Sequence, residues 1–113
     1  MLTIDALRSY GANVDEGVAR CVNNEAFYLR LVGMALEDRN FQRLEDAVAA
    51  GDLDEAFDAA HGLKGVLGNL SLTPIYALTS EMTELLRART PADYAGYLAG
   101  ILEQRDILRG LAE

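Results

Sequence analysis

The segment from Leu53 to Leu70 constrains the fold most, because its apolar residues recur at a helical spacing. Asp52 and Glu55 form an acidic variant of the capping box, which places the start of a helix here. A helix with one apolar face buries that face against other elements. At about 100° per residue, one broad sector contains Leu53, Ala56, Phe57, Ala60, Leu63, Leu67 and Leu70. The spacing therefore predicts a long amphipathic helix that ends near Leu70 to Leu72.

Two short helices are predicted at the amino end. Thr3 can cap a first helix that runs through Ser9, with Gly11 just past its end. Asn13 can cap a second helix from Val14 to about Cys21. Helices of this length are not stable alone. We therefore expect them to cover one end of a larger bundle.

The segment between these helices and the central one also has helical spacing. Asn24 opens a helix through about Asp38, and Asn40 can restart the chain. The apolar spacing then continues until Gly51, which ends the segment. The sequence leaves open whether the second part is a separate helix or follows a kink.

Two later segments share a start signal. In Thr73-Pro74 and in Thr90-Pro91 a capping residue precedes proline, which suits the first helical position. Each pair is predicted to begin a helix, and no segment alternates as a strand would. Residues 1–113 are therefore predicted to form a single all-α domain. Its architecture is an up-and-down four-helix bundle with one or two short extra helices at the amino end.

Composition narrows the class of partner. The 18 acidic residues exceed the 10 basic ones and give a formal net charge of −8, which argues against a nucleic-acid partner and against a polybasic membrane patch. Lone Cys21 fits a reducing cytoplasm. No signal peptide and no membrane span is predicted. We expect a cytoplasmic module, either free-standing or excised from a larger protein.

The only histidine, His61, lies outside the apolar sector. It falls roughly 120° from the centre of that sector, on a side stripe that also contains Asp58, Gly65 and Gly68. Each glycine inside a helix costs about 1 kcal/mol relative to alanine, so a compensating role is expected. A glycine one turn from the ring leaves room for another protein to approach. Lys64 can extend its ammonium toward the imidazole, an arrangement that suits a phosphoryl group.

These residues resemble a known signature. The run from Ala60 to Gly65 reads AHGLKG, and with Gly68 it is similar to the motif of histidine-containing phosphotransfer (HPt) domains of two-component phosphorelays. The resemblance implies that His61 is phosphorylated, that Lys64 supports the phosphoryl group and that Gly65 gives a docking receiver domain access.

Two positions depart from the family pattern. Many relatives have glycine ten residues after the histidine, where this chain has Ser71, and many have glutamine twenty-two residues after it, where Thr83 stands. The second change leaves open which group orients the ring. Thr83, Glu81 and Glu84 are candidates for that role. Asp58, one turn before His61, can also hold the ring or raise its affinity for a proton, although an exposed aspartate would have little effect.

The resemblance implies a carrier that is not a kinase. It implies transfer between aspartates of response-regulator receiver domains, a hybrid sensor histidine kinase as a further partner, and Mg²⁺ bound by the receiver. No cofactor of its own, no nucleic acid, no membrane and a monomeric state are expected. Gly62, Gly68 and Asp58 would contribute to a modest docking surface. ATP and zinc motifs are absent. The alternative is an interaction module whose histidine is never modified, with Gly65 and Gly68 permitting close helix packing.

Overall fold

The computed structural model describes all 113 residues and contains seven helices and no strand. This confirms the predicted all-α class. The helices are α1 (Ile4–Tyr10), α2 (Val14–Arg20), α3 (Glu25–Ala35), α4 (Asn40–Ala50), α5 (Leu53–Asn69), α6 (Thr73–Arg87) and α7 (Tyr94–Leu111). None of them is long and apolar enough to cross a membrane.

Helices α4 to α7 form the four-helix bundle. Each packs against the next one along the chain, and α4 also packs against α7, which closes the ring. The connections are short: only Gly51 and Asp52 separate α4 from α5, and residues 70–72 separate α5 from α6. Short connections force neighbouring helices to run in opposite directions. The bundle is therefore up-and-down, as predicted.

Helix α5 contributes small and branched apolar side chains to the core. Ala59, Ala60, Leu63 and Leu67 have no solvent exposure, and Ala56 has 1%. Facing them from α6 and α7 are the fully buried Ile75, Met82, Ile101 and Leu108. Burying a leucine side chain stabilises the fold by about 1.5–3 kcal/mol. This burial fixes which side of α5 faces inward.

Side-chain caps define most helix starts as predicted. Thr3, Asn13, Asn24 and Asp52 each accept a hydrogen bond from the backbone N–H three residues later. A cap of this kind contributes about 1 kcal/mol. The second half of the predicted capping box does not form, because the Glu55 carboxylate instead accepts hydrogen bonds from Arg43 of α4. That ion pair ties α4 to the start of α5.

The prediction that the chain restarts at Asn40 is confirmed. Asn40 is the first residue of α4, and Arg39 occupies the capping position without a side-chain hydrogen bond. The Asp38 carboxylate accepts a hydrogen bond from the Asn40 backbone N–H at 2.8 Å. The helical structure is interrupted between Ala35 and Asn40, so α4 is a separate helix and not the continuation of α3 after a kink. Helix α3 therefore lies outside the bundle, as a third helix at the amino end.

The two proline signals differ in outcome. Helix α6 does begin at Thr73 with Pro74 in its first turn, but Leu72 occupies the capping position. Helix α7 begins at Tyr94, capped by Asp93, so the start predicted at Thr90-Pro91 was wrong. Arg89 has a φ of 52°, which turns the chain out of α6 and leaves Pro91 in the connecting loop. The carboxylate of Asp93, two residues after Pro91, caps a helix better than Thr90 and sets the start of α7.

The amino-terminal helices gather at the end of the bundle where α5 meets α6. The Tyr10 hydroxyl accepts a hydrogen bond from the backbone N–H of Ile75 at the start of α6 and donates one to the side chain of Gln104 of α7. The Tyr28 hydroxyl of α3 donates to the Leu70 carbonyl at 2.8 Å, and burial raises the pKa of Tyr28 to about 12. The predicted cover over one end of the bundle is confirmed, and it is attached by specific hydrogen bonds.

Replacing Tyr28 with Phe tests this attachment. The change removes a buried hydrogen bond and leaves the Leu70 carbonyl without that partner, so we expect a loss of about 1–2 kcal/mol in the free energy of unfolding. Tyr97→Phe is the matched control, because its hydroxyl donates to Glu81 in an exposed contact. The control should change stability by less than about 0.5 kcal/mol. Equal urea midpoints for the two variants would contradict the assignment.

Candidate functional site

His61 lies at the midpoint of α5 and is exposed to solvent. Its neighbour Ala60 is fully buried, so the backbone beneath the ring is held by the core. No hydrogen bond within the protein engages either ring nitrogen. The imidazole is therefore an accessible nucleophile on a rigid support.

The ring opens onto a polar cleft of about 560 Å³. Helix α5 forms one wall with His61, Lys64, Gly65, Gly68 and Asn69. Only one of the lining residues is hydrophobic. The lining residues from α2, α6 and the turns that flank them are Asn13, Glu16, Arg20, Ser71, Thr73 and Tyr76. A cleft of this composition suits charged or polar groups from a partner.

The three glycines that follow His61 have different surroundings. A Cβ added at Gly65 would meet no atom within 4 Å, so this position is open space. At Gly68 a Cβ would lie 2.8 Å from the Tyr76 ring, and at Gly62 it would lie 2.7 Å from the Asn40 side-chain nitrogen. The space that a side chain would occupy at Gly68 and at Gly62 is therefore filled by Tyr76 and Asn40, respectively. Gly65 alone keeps the space beside His61 empty.

Lys64 lies on the α6 side of His61 and has an ionic partner. Its Nζ is 3.6 Å from a carboxylate oxygen of Glu84, and the Lys64 side chain is 26% exposed. Glu84 also contacts Arg87 at 3.3 Å. Partial desolvation would raise the pKa of Glu84, but the charges of Arg87 and Lys64 outweigh it and lower that pKa below its ordinary value. Glu84 thus stays ionised and holds Lys64 loosely beside the site.

None of the residues suggested to orient the ring makes a hydrogen bond to it. Thr83 is fully buried, and its hydroxyl donates to the Thr79 carbonyl at 2.6 Å. Glu81 accepts from the Tyr97 hydroxyl, an interaction that raises the pKa of Tyr97. Glu84 reaches Lys64, as described above. Asp58 is exposed in a neighbouring hollow. The structure joins none of these residues to the imidazole by a hydrogen bond.

The contact that the ring does make is with Phe57. The two ring centroids are 5.6 Å apart, and the planes differ by 14°, which is a stacked arrangement. The sequence placed Phe57 in the apolar sector, but the side chain is only half-buried. The i,i+4 spacing of an aromatic residue and His61 was the available signal for this contact.

A family comparison adds to this geometry. The family model described as Hpt domain matches residues 34–112, more than two thirds of the chain. The chain belongs to the Hpt domain family. No curated protein and no solved structure gave a significant match. The matched Hpt domain contains the whole bundle α4 to α7 and every residue of the HPt signature, whereas α1, α2 and most of α3 precede it.

Ser71 is one of the two departures from the family pattern, and its surroundings in the Hpt domain explain how a serine fits there. Its φ is 54°, in the left-handed region that favours glycine, the residue many relatives have here. The serine hydroxyl accepts from Arg20 at 2.8 Å and donates to Glu16 at 3.0 Å. These bonds to α2 offset the backbone cost. Arg20 also donates to the Gly68 carbonyl at 2.9 Å, and sequence reasoning missed this residue because it lies far away along the chain.

The glycine geometry of the Hpt domain predicts opposite effects on stability. Gly65→Ala gains helix propensity without a clash, so the free energy of unfolding should rise by about 0.5–1 kcal/mol. Gly68→Ala places its methyl group against the Tyr76 ring, so it should gain nothing or lose stability. Urea unfolding of both variants measures the difference. A stabilised Gly68→Ala together with a destabilised Gly65→Ala would reverse the assignment of open and filled space.

Proposed function

We propose that this Hpt domain is a phosphoryl carrier of two-component signalling, in which His61 accepts a phosphoryl group from a receiver-domain aspartate and passes it to another. One observation carries the proposal: an exposed imidazole stands beside the open space at Gly65, with the Lys64 ammonium on the same face. Family membership supports the same class of reaction.

The reaction requires only one nucleophilic atom from this chain. A neutral imidazole nitrogen attacks the phosphorus of an aspartyl phosphate, a P–N bond forms, and the P–O bond to the aspartyl carboxylate breaks. The aspartate leaves as a carboxylate, and the phosphorylated ring loses the proton on its other nitrogen to solvent. Transfer to the second receiver reverses these steps. In this proposal the chain acts as a phosphoryl carrier and not as a kinase, and its membership of the Hpt family supports that role.

Lys64 would exchange one anionic partner for another. Its distance of 3.6 Å from Glu84 is longer than a direct hydrogen bond, so a phosphoryl group on His61 competes for the ammonium with a weakly held carboxylate. A phosphoryl group carries more negative charge than the carboxylate and offers three acceptor oxygens. Lys64 thereby supports the phosphorylated state without strong pairing in the free state.

The partner would dock on the exposed face of α5. Gly65 gives the reacting group access, and Asp58 and Gly68 flank it on the same stripe. Gly62 lies half-buried beneath Asn40, so its contribution to docking is smaller than that of Gly65. We propose response-regulator receiver domains as partners, with a hybrid sensor kinase as a further one. The chain would act as a cytoplasmic monomer without its own cofactor, and the receiver would bind the Mg²⁺.

Intact mass spectrometry with a phosphorylated receiver tests the proposal. We expect the mass of the chain to increase by one phosphoryl group and the increase to be lost in acid, which hydrolyses phosphohistidine. His61→Gln should show no adduct while keeping the helical circular dichroism of the parent. A panel of phosphorylated receivers that leaves the parent chain unmodified would favour the alternative interaction module. An adduct that persists in His61→Gln would place the chemistry elsewhere.

Gly65→Gln tests the open space. A long side chain at this position would obstruct the approaching receiver, so transfer should slow by about ten- to a hundredfold. Gly110→Gln is the matched control, because Gly110 is also an exposed helical glycine with no neighbour within 4 Å, on α7. The control should transfer at the parental rate. Rapid-quench kinetics measures both variants, and equal rates would contradict the role of Gly65.

A further inference from the structure

The imidazole of His61 needs a defined direction, yet no side chain holds it by a hydrogen bond. Thr83, which occupies the position of the family's glutamine, is buried and bound to the Thr79 carbonyl. An exposed histidine without a partner populates several rotamers. Transfer between proteins depends on near-attack geometry, so such freedom would slow the reaction. Some other contact has to restrict the ring.

Phe57 is the side chain placed to do so. It lies one turn before His61, and its ring is stacked at 5.6 Å between centroids with an angle of 14° between the planes. Offset stacking is a favoured geometry for ring pairs. A stacking partner covers a face of the imidazole, whereas the nitrogens lie on the edge. The contact can therefore fix the plane of the ring and leave both nitrogens free.

Phe57 is itself held from α6. The guanidinium of Arg87 lies 4.9 Å from the centroid of the Phe57 ring, within the range of a cation–π interaction. Arg87 is also paired with Glu84 at 3.3 Å, and Glu84 faces Lys64. One ionic cluster on α6 thus contacts both Phe57 and Lys64. It links the two groups that flank His61 along α5.

We propose that Phe57 is the positioning residue of the His61 ring and that Arg87 fixes Phe57 through its guanidinium. Ring orientation then depends on contact with a face of the imidazole, and no hydrogen-bond acceptor is needed. Its effect on transfer rests on the proposed function, but its effect on the ring does not. If Phe57 were only a packing residue, any apolar side chain of similar volume would serve.

Nuclear magnetic resonance of the chain of 113 residues without a partner tests the effect on the ring. His61 is the only histidine, so its ring signals are assigned without ambiguity. In the parent we expect the ring protons to be shifted by the Phe57 ring current and the χ1 couplings to report one dominant rotamer. Phe57→Leu should remove the shift and average the couplings. Phe57→Tyr should preserve both.

Arg87→Gln provides a second variant that does not alter the core, because Arg87 is exposed. It should reduce the ring-current shift and broaden the rotamer distribution without unfolding the protein. Arg89→Gln is its matched control, since Arg89 lies in the same hollow but pairs with Asp54. The control should keep the parental spectrum. Parental shifts and couplings in both Phe57→Leu and Arg87→Gln would overturn the proposal.

Transfer kinetics from a phosphorylated receiver supply the functional comparison. Phe57→Leu should slow the transfer step about two- to tenfold, the range that corresponds to the energy of an aromatic pair. Phe57→Tyr should restore the rate. A slowed Phe57→Leu that Phe57→Tyr fails to rescue would contradict a stacking role. If the parent chain accepts no phosphoryl group, the proposed function fails, and the resonance experiment still decides the orientation.

Discussion

The packing of α5 between α4 and α6 determines where the His61 side chain lies. Ala56, Ala60, Leu63 and Leu67 fill the core, so α5 has only one rotation about its axis that keeps them buried. A rotation that drew them toward water would cost about 1.5–3 kcal/mol for each leucine exposed. His61 follows a buried alanine and is carried to the surface by that constraint. The position of His61 is therefore set by its apolar neighbours.

The same end of the bundle connects the site to the amino-terminal helices. Tyr28 of α3 bonds the Leu70 carbonyl, and Arg20 of α2 bonds the Gly68 carbonyl and the Ser71 hydroxyl. Both carbonyls lie at the end of α5, where a helix leaves its last carbonyls without partners from a following turn, although the Gly68 carbonyl also accepts the Ser71 N–H at 3.0 Å. These hydrogen bonds also hold Ser71 in a backbone conformation that glycine would adopt more readily. Helices outside the family match thereby complete the turn that supports the far wall of the cleft.

Helical spacing and capping residues predicted the class of fold and most helix bounds, because both signals are local. The wrong start at Thr90-Pro91 has a local cause: Thr90 and Asp93 can both cap a helix, and the path of the loop selects Asp93. In the site, the sequence singled out the HPt signature but left close helix packing open as an alternative for both Gly65 and Gly68. Their difference depends on Tyr76 of α6, a neighbour that spacing along α5 does not indicate.

An exposed site has to satisfy two opposing requirements, because access for a partner removes the contacts that hold a side chain still. In this chain, access and restraint lie on different sides of the His61 side chain. Core packing fixes the backbone below His61, Phe57 stacks on the ring, and Gly65 leaves the adjacent helix surface empty. In the ionic cluster of Lys64, Glu84 and Arg87, Lys64 is partly buried, but Glu84 and Arg87 are exposed, so these pairs contribute little to stability. Because these pairs are weak, the proposed function would let Lys64 leave Glu84 for a phosphoryl group while Arg87 stays over Phe57.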